Sequence, residues 1–456
     1  MKLHHVPIAL ALAATTLLAS PAPTAIAASP VIAASPDYDR DGKTDLAFTM
    51  IDDMESTFIR IKYGSGSVTD IVADDLAAGP YGIGGALLAR DLNRDGYTDL
   101  VTSTDDPSGV RVQIIPGSAT GLQVASRHTF LALGKANSGV RSLALVESPV
   151  RRLAVSLSTY VETSKGSRYD DEVRLYQLSD TGEPTGSPVR LVPGSGKVPA
   201  LVKGGSFGWS MDALGSQLFI GAPDAKVAGK AGAGAVLAVS LNSSGIKTVK
   251  TITQATKSVA GAVDKYDYFG RAVVARDGFL VVGTPGDTVG RIKRTGSIQV
   301  FTVSSKGIIK PVKRIAQDSA GIPGKAERYD RFGGHLAIGT ACKGVPAVLV
   351  GGSGEVITKG HESDGSAWLI PLRKAKGCAA KQFYEGHGLP GKPADRGTGD
   401  VLAFVRVAGA TADELVIGSG GSVSQGPLGQ LYRISSTTGV ATKLNPDGIF
   451  GNVAGR

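Results

Sequence analysis

Asp37-Tyr38-Asp39-Arg40-Asp41-Gly42-Lys43-Thr44-Asp45-Leu46-Ala47-Phe48-Thr49 is an oxygen-rich loop that runs straight into a short apolar strand. Oxygen side chains stand at loop positions 1, 3, 5 and 9, and a Gly at position 6. The pattern returns at Asp91-Leu92-Asn93-Arg94-Asp95-Gly96-Tyr97-Thr98-Asp99-Leu100. A hard cation such as Ca²⁺ takes about six to eight oxygens at roughly 2.3–2.6 Å, and alternate side chains of a short loop can supply them. Gly42 and Gly96 permit the tight turn. Position 7 would give its backbone carbonyl. The expected ligands are Asp37, Asp39, Asp41, Lys43 and Asp45 in one loop, and Asp91, Asn93, Asp95, Tyr97 and Asp99 in the other, making two Ca²⁺ sites. An EF-hand would need Glu at position 12, where Phe48 and Thr102 stand. The competing reading is a pair of Asp-rich turns that make only local hydrogen bonds.

The strand behind the loop is one of seven. Leu46, Leu100, Leu153, Leu218, Leu280, Val348 and Leu415 each open a run that ends in small residues, at intervals of 53 to 68 residues. An alternating strand follows each, as in Phe58-Ile-Arg-Ile-Lys-Tyr63 or Ile298-Gln-Val-Phe-Thr-Val303. Alternation marks a half-buried strand. A more polar strand comes next, such as Lys247-Thr-Val-Lys-Thr-Ile252, and suits an outer edge. Six units also have a preceding strand, expected at 85–89, 140–145, 207–211, 269–274, 332–337 and 400–404. This period built of strands predicts an all-β, seven-bladed propeller of four-stranded antiparallel blades over residues 37–456. Nothing suitable precedes Asp37, whereas Phe450-Gly-Asn-Val-Ala-Gly455 follows the seventh unit. The C-terminal strand is therefore expected to pair into blade 1 and close the ring. Deleting residues 449–456 should sharply lower the unfolding temperature.

Topology sorts the loops. Turns between the first and second strands, and between the third and fourth, share one end with the cation loops. Longer loops and the blade connectors share the other. That second end holds Arg291, Lys293, Arg294, Arg328 and Arg396, the expected ligand face, since function concentrates on loops held by a rigid scaffold. Short turns at Asp212-Ala-Leu-Gly-Ser216 and Arg276-Asp-Gly278 leave no room for further cation loops.

Composition agrees. Gly makes up 62 of 456 residues and aromatics 6%, which disfavours long helices. Residues 1–27 read as a secretory signal peptide cut near Ala27, with a short linker over 28–36. The chain is accordingly expected outside the cell, monomeric, without a membrane span and without nucleic acid as a partner. Two cysteines, Cys342 and Cys378, fall at the same expected end of the propeller. They are either one disulfide or two buried thiols. The net charge of +9 is uneven: −5 over residues 28–200 and +13 over 201–456. A basic remainder suits a polyanionic contact or simply aids solubility.

Phe207-Gly208 with Gly221-Ala-Pro223, Phe269-Gly270 with Gly283-Thr-Pro285, and Phe332-Gly333 with Gly351-Gly352 resemble FG-GAP repeats. These are the units of the integrin-α N-terminal propeller and of many bacterial secreted proteins. The resemblance implies Ca²⁺ in the turn between first and second strands, and extracellular recognition by the opposite face. It departs in placing the cation loops in the first two blades rather than the later ones.

Enzyme motifs are weak. Gly204-Gly-Ser206-Phe-Gly208 fits G-x-S-x-G but opens a strand with no helix behind it. Gly386-His-Gly388-Leu-Pro-Gly391 fits a phosphate-loop pattern that Pro390 spoils. The reading is a non-catalytic recognition or adhesion module for an extracellular protein, an anionic glycan or a cell-wall polymer. The alternative is a polysaccharide hydrolase or lyase working in the central channel, because the fold alone does not decide.

Overall fold

Alternating strands and Gly-rich turns fold into seven sheets, antiparallel except where the short last strand of the sixth pairs parallel. The computed structural model describes residues 36–51, 57–78, 82–106, 109–134, 137–164, 166–342, 344–394, 397–405, 412–419 and 429–444. Blade 1 holds β1 (Leu46–Ile51), β2 (Thr57–Lys62) and β3 (Val68–Ile71). Blade 2 holds β4 (Ile83–Arg90), β5 (Asp99–Asp106), β6 (Gly109–Ile115) and β7 (His128–Leu133). Blade 3 holds β8 (Ser138–Val146), β9 (Arg152–Thr163), β10 (Gly166–Leu178) and β11 (Pro184–Leu191). Blade 4 holds β12 (Met211–Leu214), β13 (Gln217–Ala222), β14 (Ala235–Asn242) and β15 (Gly245–Ile252). Blade 5 holds β16 (Val273–Arg276), β17 (Phe279–Thr284), β18 (Ser297–Val303) and β19 (Ile309–Ile315). Blade 6 holds β20 (His335–Ala341), β21 (Val345–Gly352), β22 (Ser366–Pro371), β23 (Lys381–Glu385) and a short β24 (Gly388–Leu389). Blade 7 holds β25 (Thr398–Val405), β26 (Glu414–Ser419), β27 (Leu431–Ile434) and β28 (Ala441–Lys443). Strand order within each sheet follows chain order.

Apolar residues on both faces of each sheet meet the neighbouring blades, so every junction has its own core. Val173 and Leu175 of blade 3 pack on Leu218 and Ile220 of blade 4. Ile298 and Val300 of blade 5 meet Val348 and Trp368 of blade 6. The last junction joins the two ends of the chain: Leu46, Phe48 and Met50 of blade 1 pack against Val401, Ala403, Val405 and Val416 of blade 7. Blades 1 and 7 thus meet through side-chain packing. The expected closing strand at Phe450, and the signal peptide and linker before Pro36, lie outside the described residues. Outer strands carry the polar faces, as the alternating exposure of β15 and β19 shows.

Three expectations change. The Phe-Gly pairs do not begin strands: β12 starts at Met211 and β16 at Val273. Gly208, Gly270 and Gly333 have φ of +83°, +90° and +91°, and that left-handed backbone is incompatible with a strand. Asp212 belongs to β12, so the blade 4 turn is only Gly215-Ser216. In blade 3, β9 and β10 run on as a hairpin to Thr163 and Gly166, beyond the short strands expected there.

The repeated glycines have a steric cause. A Cβ on Gly221, Gly283 or Gly351 would sit 2.1, 2.0 and 2.1 Å from the carbonyl oxygens of Gly270, Gly333 and Gly399 in the next blade. No rotamer relieves a clash with backbone. Gly283→Ala should therefore cost about 3 kcal/mol in denaturant unfolding. Val312→Ala, on the exposed outer strand of the same blade, should stay within about 0.5 kcal/mol.

Candidate functional site

The two loops share one framework of hydrogen bonds. Asp37 Oδ2 accepts from the Gly42 N–H at 3.1 Å, and Asp91 Oδ2 accepts from the Gly96 N–H at 3.1 Å. Asp39 and Asn93 accept from the N–H two residues on, at 3.2 and 3.1 Å. Asp41 and Asp95 accept from Lys43 and Tyr97, both at 2.8 Å. The last carboxylate of each loop ties the loop together. Asp45 accepts from Tyr38 N at 2.6 Å and Gly64 N at 2.8 Å; Asp99 accepts from Leu92 N at 2.7 Å and Gly117 N at 3.1 Å. Arg40 and Arg94 stand at the left-handed position before the turn, at φ 57° and 63°.

The loops differ in charge. Oxygens of Asp37, Asp39 and Asp45 lie within 4.8 Å of one another, a group able to hold a metal ion. In the second loop Asn93 takes the place of Asp39, and its Nδ2 donates to Asp95 Oδ2 at 2.8 Å. Burial pushes the carboxyls of Asp45 and Asp99 up to about 6, against the backbone donors that pull them down. Burial also raises Asp37. An extra positive charge placed among these oxygens would offset that cost.

Each loop leans on the next blade. The Thr98 and Ser118 N–H groups donate to the carbonyls of Asp37 and Tyr38, at 3.1 and 3.0 Å. Blade 3 has no such loop, and there Arg151 does the work: its guanidinium donates to the carbonyls of Asp91 and, at 2.5 Å, Leu92. Sequence reading missed Arg151 because it stands alone in an ordinary turn. At the same end of the propeller, Cys342 and Cys378 form a disulfide with Cα atoms 5.7 Å apart.

The opposite end carries a basic and aromatic surface. A two-residue hairpin, Val289 paired with Ile292, presents Arg291, Lys293 and Arg294, all exposed. Arg294 lies 5.9 Å from the ring centre of Tyr266 and 5.6 Å from that of Tyr329. Arg328 lies 4.6 Å from Tyr329 and donates to its hydroxyl at 2.8 Å. Tyr266 and Tyr329 are 45% and 40% exposed, and both adopt positive φ, 65° and 77°. That backbone costs about 1–3 kcal/mol for a bulky residue. Arg396 lies outside the described residues.

Beside this surface the blade 3 hairpin leads into the axis. Tyr160 and Tyr169 pair edge to face at 5.6 Å. Arg141 lies 5.1 Å from the rings of both Tyr169 and Trp209, and Arg271 covers Trp209 at 4.1 Å. Burial lowers Arg271 to about 10. This ladder ends at a central cavity of about 630 Å³ lined by the inner strands of blades 2 to 7. There His335 Nδ1 meets Asp400 Oδ1 at 3.2 Å. The ladder was hidden because its members are scattered from residue 141 to 271. Ser206 sits on a turn at φ 55° and donates to Asp224 at 2.6 Å.

Residues 37–132, the first two blades, match the family model described as an FG-GAP-like repeat. The match falls on the blades with the Asp-rich loops rather than on the Phe-Gly units of blades 4 to 6. No curated protein matches the chain. The first two blades are thus FG-GAP-like repeats within a seven-bladed β-propeller.

The buried carboxyls set a pH dependence. The folded chain holds protons on Asp45 and Asp99 up to about pH 6, whereas the unfolded chain releases them near pH 4. Their stabilising contribution is complete below about pH 4 and is lost as pH rises through about 6. In chelator, the unfolding temperature should fall between those values, and Asp45→Asn with Asp99→Asn should flatten the slope.

Proposed function

We propose that this FG-GAP-repeat propeller is a secreted, non-catalytic recognition module that binds Ca²⁺ in its first two blades and an anionic extracellular polymer on the opposite face. The observation that carries the reading is the fixed array of Arg294, Arg328, Tyr266 and Tyr329 on that face. Exposed rings offer flat apolar contact to sugar faces, and guanidiniums held against rings pair with carboxylate, sulfate or phosphate. An extracellular setting agrees with the disulfide. Among the described residues no helix is long and apolar enough to cross a membrane. Protein partners rich in acidic side chains present the same chemistry.

The Ca²⁺ role in this reading is structural. Asp37, Asp39 and Asp45 would hold the first ion, with Asp41 and the Lys43 carbonyl completing it. Asp91, Asn93, Asp95, Asp99 and the Tyr97 carbonyl would hold the second. At about a hundred times its Kd, one ion adds about 2.7 kcal/mol. Calcium should therefore raise the unfolding temperature at pH 7 and do so less below pH 6. Chelation should speed hydrogen exchange first in residues 37–100.

A second reading, a polysaccharide hydrolase or lyase, draws on His335 and Asp400 at the cavity mouth. The two separate by experiment. On an array of sulfated, uronic-acid and phosphate-bearing polymers, Arg291→Ala, Lys293→Ala and Arg294→Ala together should weaken binding at least tenfold at low salt. His335→Ala should leave it intact. Polymer cleavage abolished by His335→Ala would favour the enzyme. Full binding by the triple variant would remove the electrostatic part of the proposal.

A further inference from the structure

Two equivalent acidic nests lie buried between blades under the long-loop face, and only one has its own cation. Backbone bonds fix the equivalence. Gly286 N–H donates to Asp267 O at 3.0 Å, as Gly354 N–H does to Asp330 O at 3.2 Å. Gly296 N–H donates to Asp287 O at 3.1 Å, as Gly365 N–H does to Glu355 O at 2.9 Å. Asp267 and Asp287 at the 4–5 junction therefore correspond to Asp330 and Glu355 at the 5–6 junction. All four are less than a tenth exposed.

At the 4–5 junction Arg314 of β19, paired opposite Gln299, donates to Asp287 through Nε at 2.7 Å. It also reaches Ser297 Oγ at 3.2 Å. At the 5–6 junction the same sheet position is Gln382 of β23, paired opposite Trp368. Its amide reaches Ser366 Oγ at 3.1 Å in the same way. Among the described residues no Lys or Arg head group is paired with the Asp330 or Glu355 carboxyl, although Arg328 and Arg331 flank Asp330 in sequence. The nest keeps its two carboxylates, with Glu327 close enough to act on both, and a neutral amide replaces its guanidinium.

A neutral group borders the same nest. Gln317, 2% exposed, donates Nε2 to Glu355 Oε2 at 2.7 Å and to Lys325 O at 3.2 Å. Its Oε1 has no hydrogen-bond partner, and neither has Oδ1 of Asp330, 1% exposed; the counterparts Gln254 Oε1 and Asp267 Oδ1 also lack one, but there the Arg314 charge acts on Asp267. A buried acceptor without a donor is costly, and so is a buried pair of like charges. One hard cation answers both.

We propose that a divalent cation of the Ca²⁺ class binds between blades 5 and 6 on the oxygens of Asp330, Glu355 and Gln317. It supplies the positive charge that the Arg314 guanidinium supplies one junction earlier; here the neutral Gln382 amide stands beside Glu355. This would be a third cation site, independent of the loops at the other end.

Terbium bound to the full chain tests it, because Trp368 borders the nest. A Cβ on Gly352 would lie 2.8 Å from its ring and 3.1 Å from Asp330 O. Tryptophan-sensitised terbium emission should be present in the wild type and in Asp45→Asn with Asp99→Asn, and lost in Glu355→Gln. Glu355→Gln should bind one equivalent fewer. Gln382→Arg restores the guanidinium. It should lose the same equivalent and emission while keeping the wild-type unfolding temperature in chelator or raising it, which guards against a misfolded variant. Equal stoichiometry and equal emission in the wild type and Gln382→Arg would overturn the site. So would a wild type without such emission, the pair then being held by a shared proton.

Discussion

Each junction in blades 4 to 7 rests on a contact of backbone with backbone. The second-strand glycines, Gly221, Gly283 and Gly351, back onto the carbonyls of Gly270, Gly333 and Gly399. Side chains cannot enter there, so the sheets approach closely at the inner rim and diverge outward, where Phe, Val and Ile fill the wedge. A wedge repeated around an axis is a ring with a central cavity. The Phe-Gly pair follows from the same constraint. Its Gly turns the chain at positive φ, and its Phe, fully buried at residues 207, 269 and 332, plugs the wedge.

Blades 1 to 3 meet by other means. The first turns of blades 1 and 2 carry the oxygen loops, and each loop's opening carbonyls need donors from the next blade. Blade 2 supplies N–H groups of Thr98 and Ser118, and blade 3 supplies the Arg151 guanidinium. Arg151 is thus the point at which the run of loops can end without leaving acceptors unpaired. It also places a fixed positive charge on the backbone side of the second loop, while the carboxylates gather on the other.

Much of the ring was legible in the sequence because a strand's period survives local noise. The seven second strands begin at or within one residue of where their apolar runs do, except Val348, which starts three residues inside β21. Chain order then fixed which turns share an end. The Phe-Gly pairs misled because Phe, Gly and the following apolar residues mimic a strand, and only φ tells them apart. The blade 3 extension was missed because residues 158–172 are largely polar, so the hairpin is held by backbone pairing rather than by an apolar stripe. The buried nests were invisible for a related reason. Asp267, Asp330 and Glu355 stand in loop-like surroundings, and loop carboxylates are ordinarily solvated.

The nests also change how the charge pattern is understood. The first third of the chain is acidic and the rest basic, yet the basic blades hold carboxyls that burial raises further than those of the two loops. Burial raises Asp267 to about 7, Asp330 to about 8 and Glu355 to about 7. Arg291, Lys293, Arg294 and Arg328 are exposed on loops that adjoin them, Tyr329 N–H donating to Arg294 O at 3.1 Å beside Asp330. Buried negative charge beneath a basic rim draws the rim's cations inward and weakens their field outside. Neutralising the nests, by Arg314 in one junction and by a cation or a proton in the other, frees the rim to face an anionic partner. Charge on the recognition face is therefore set partly by what lies under it.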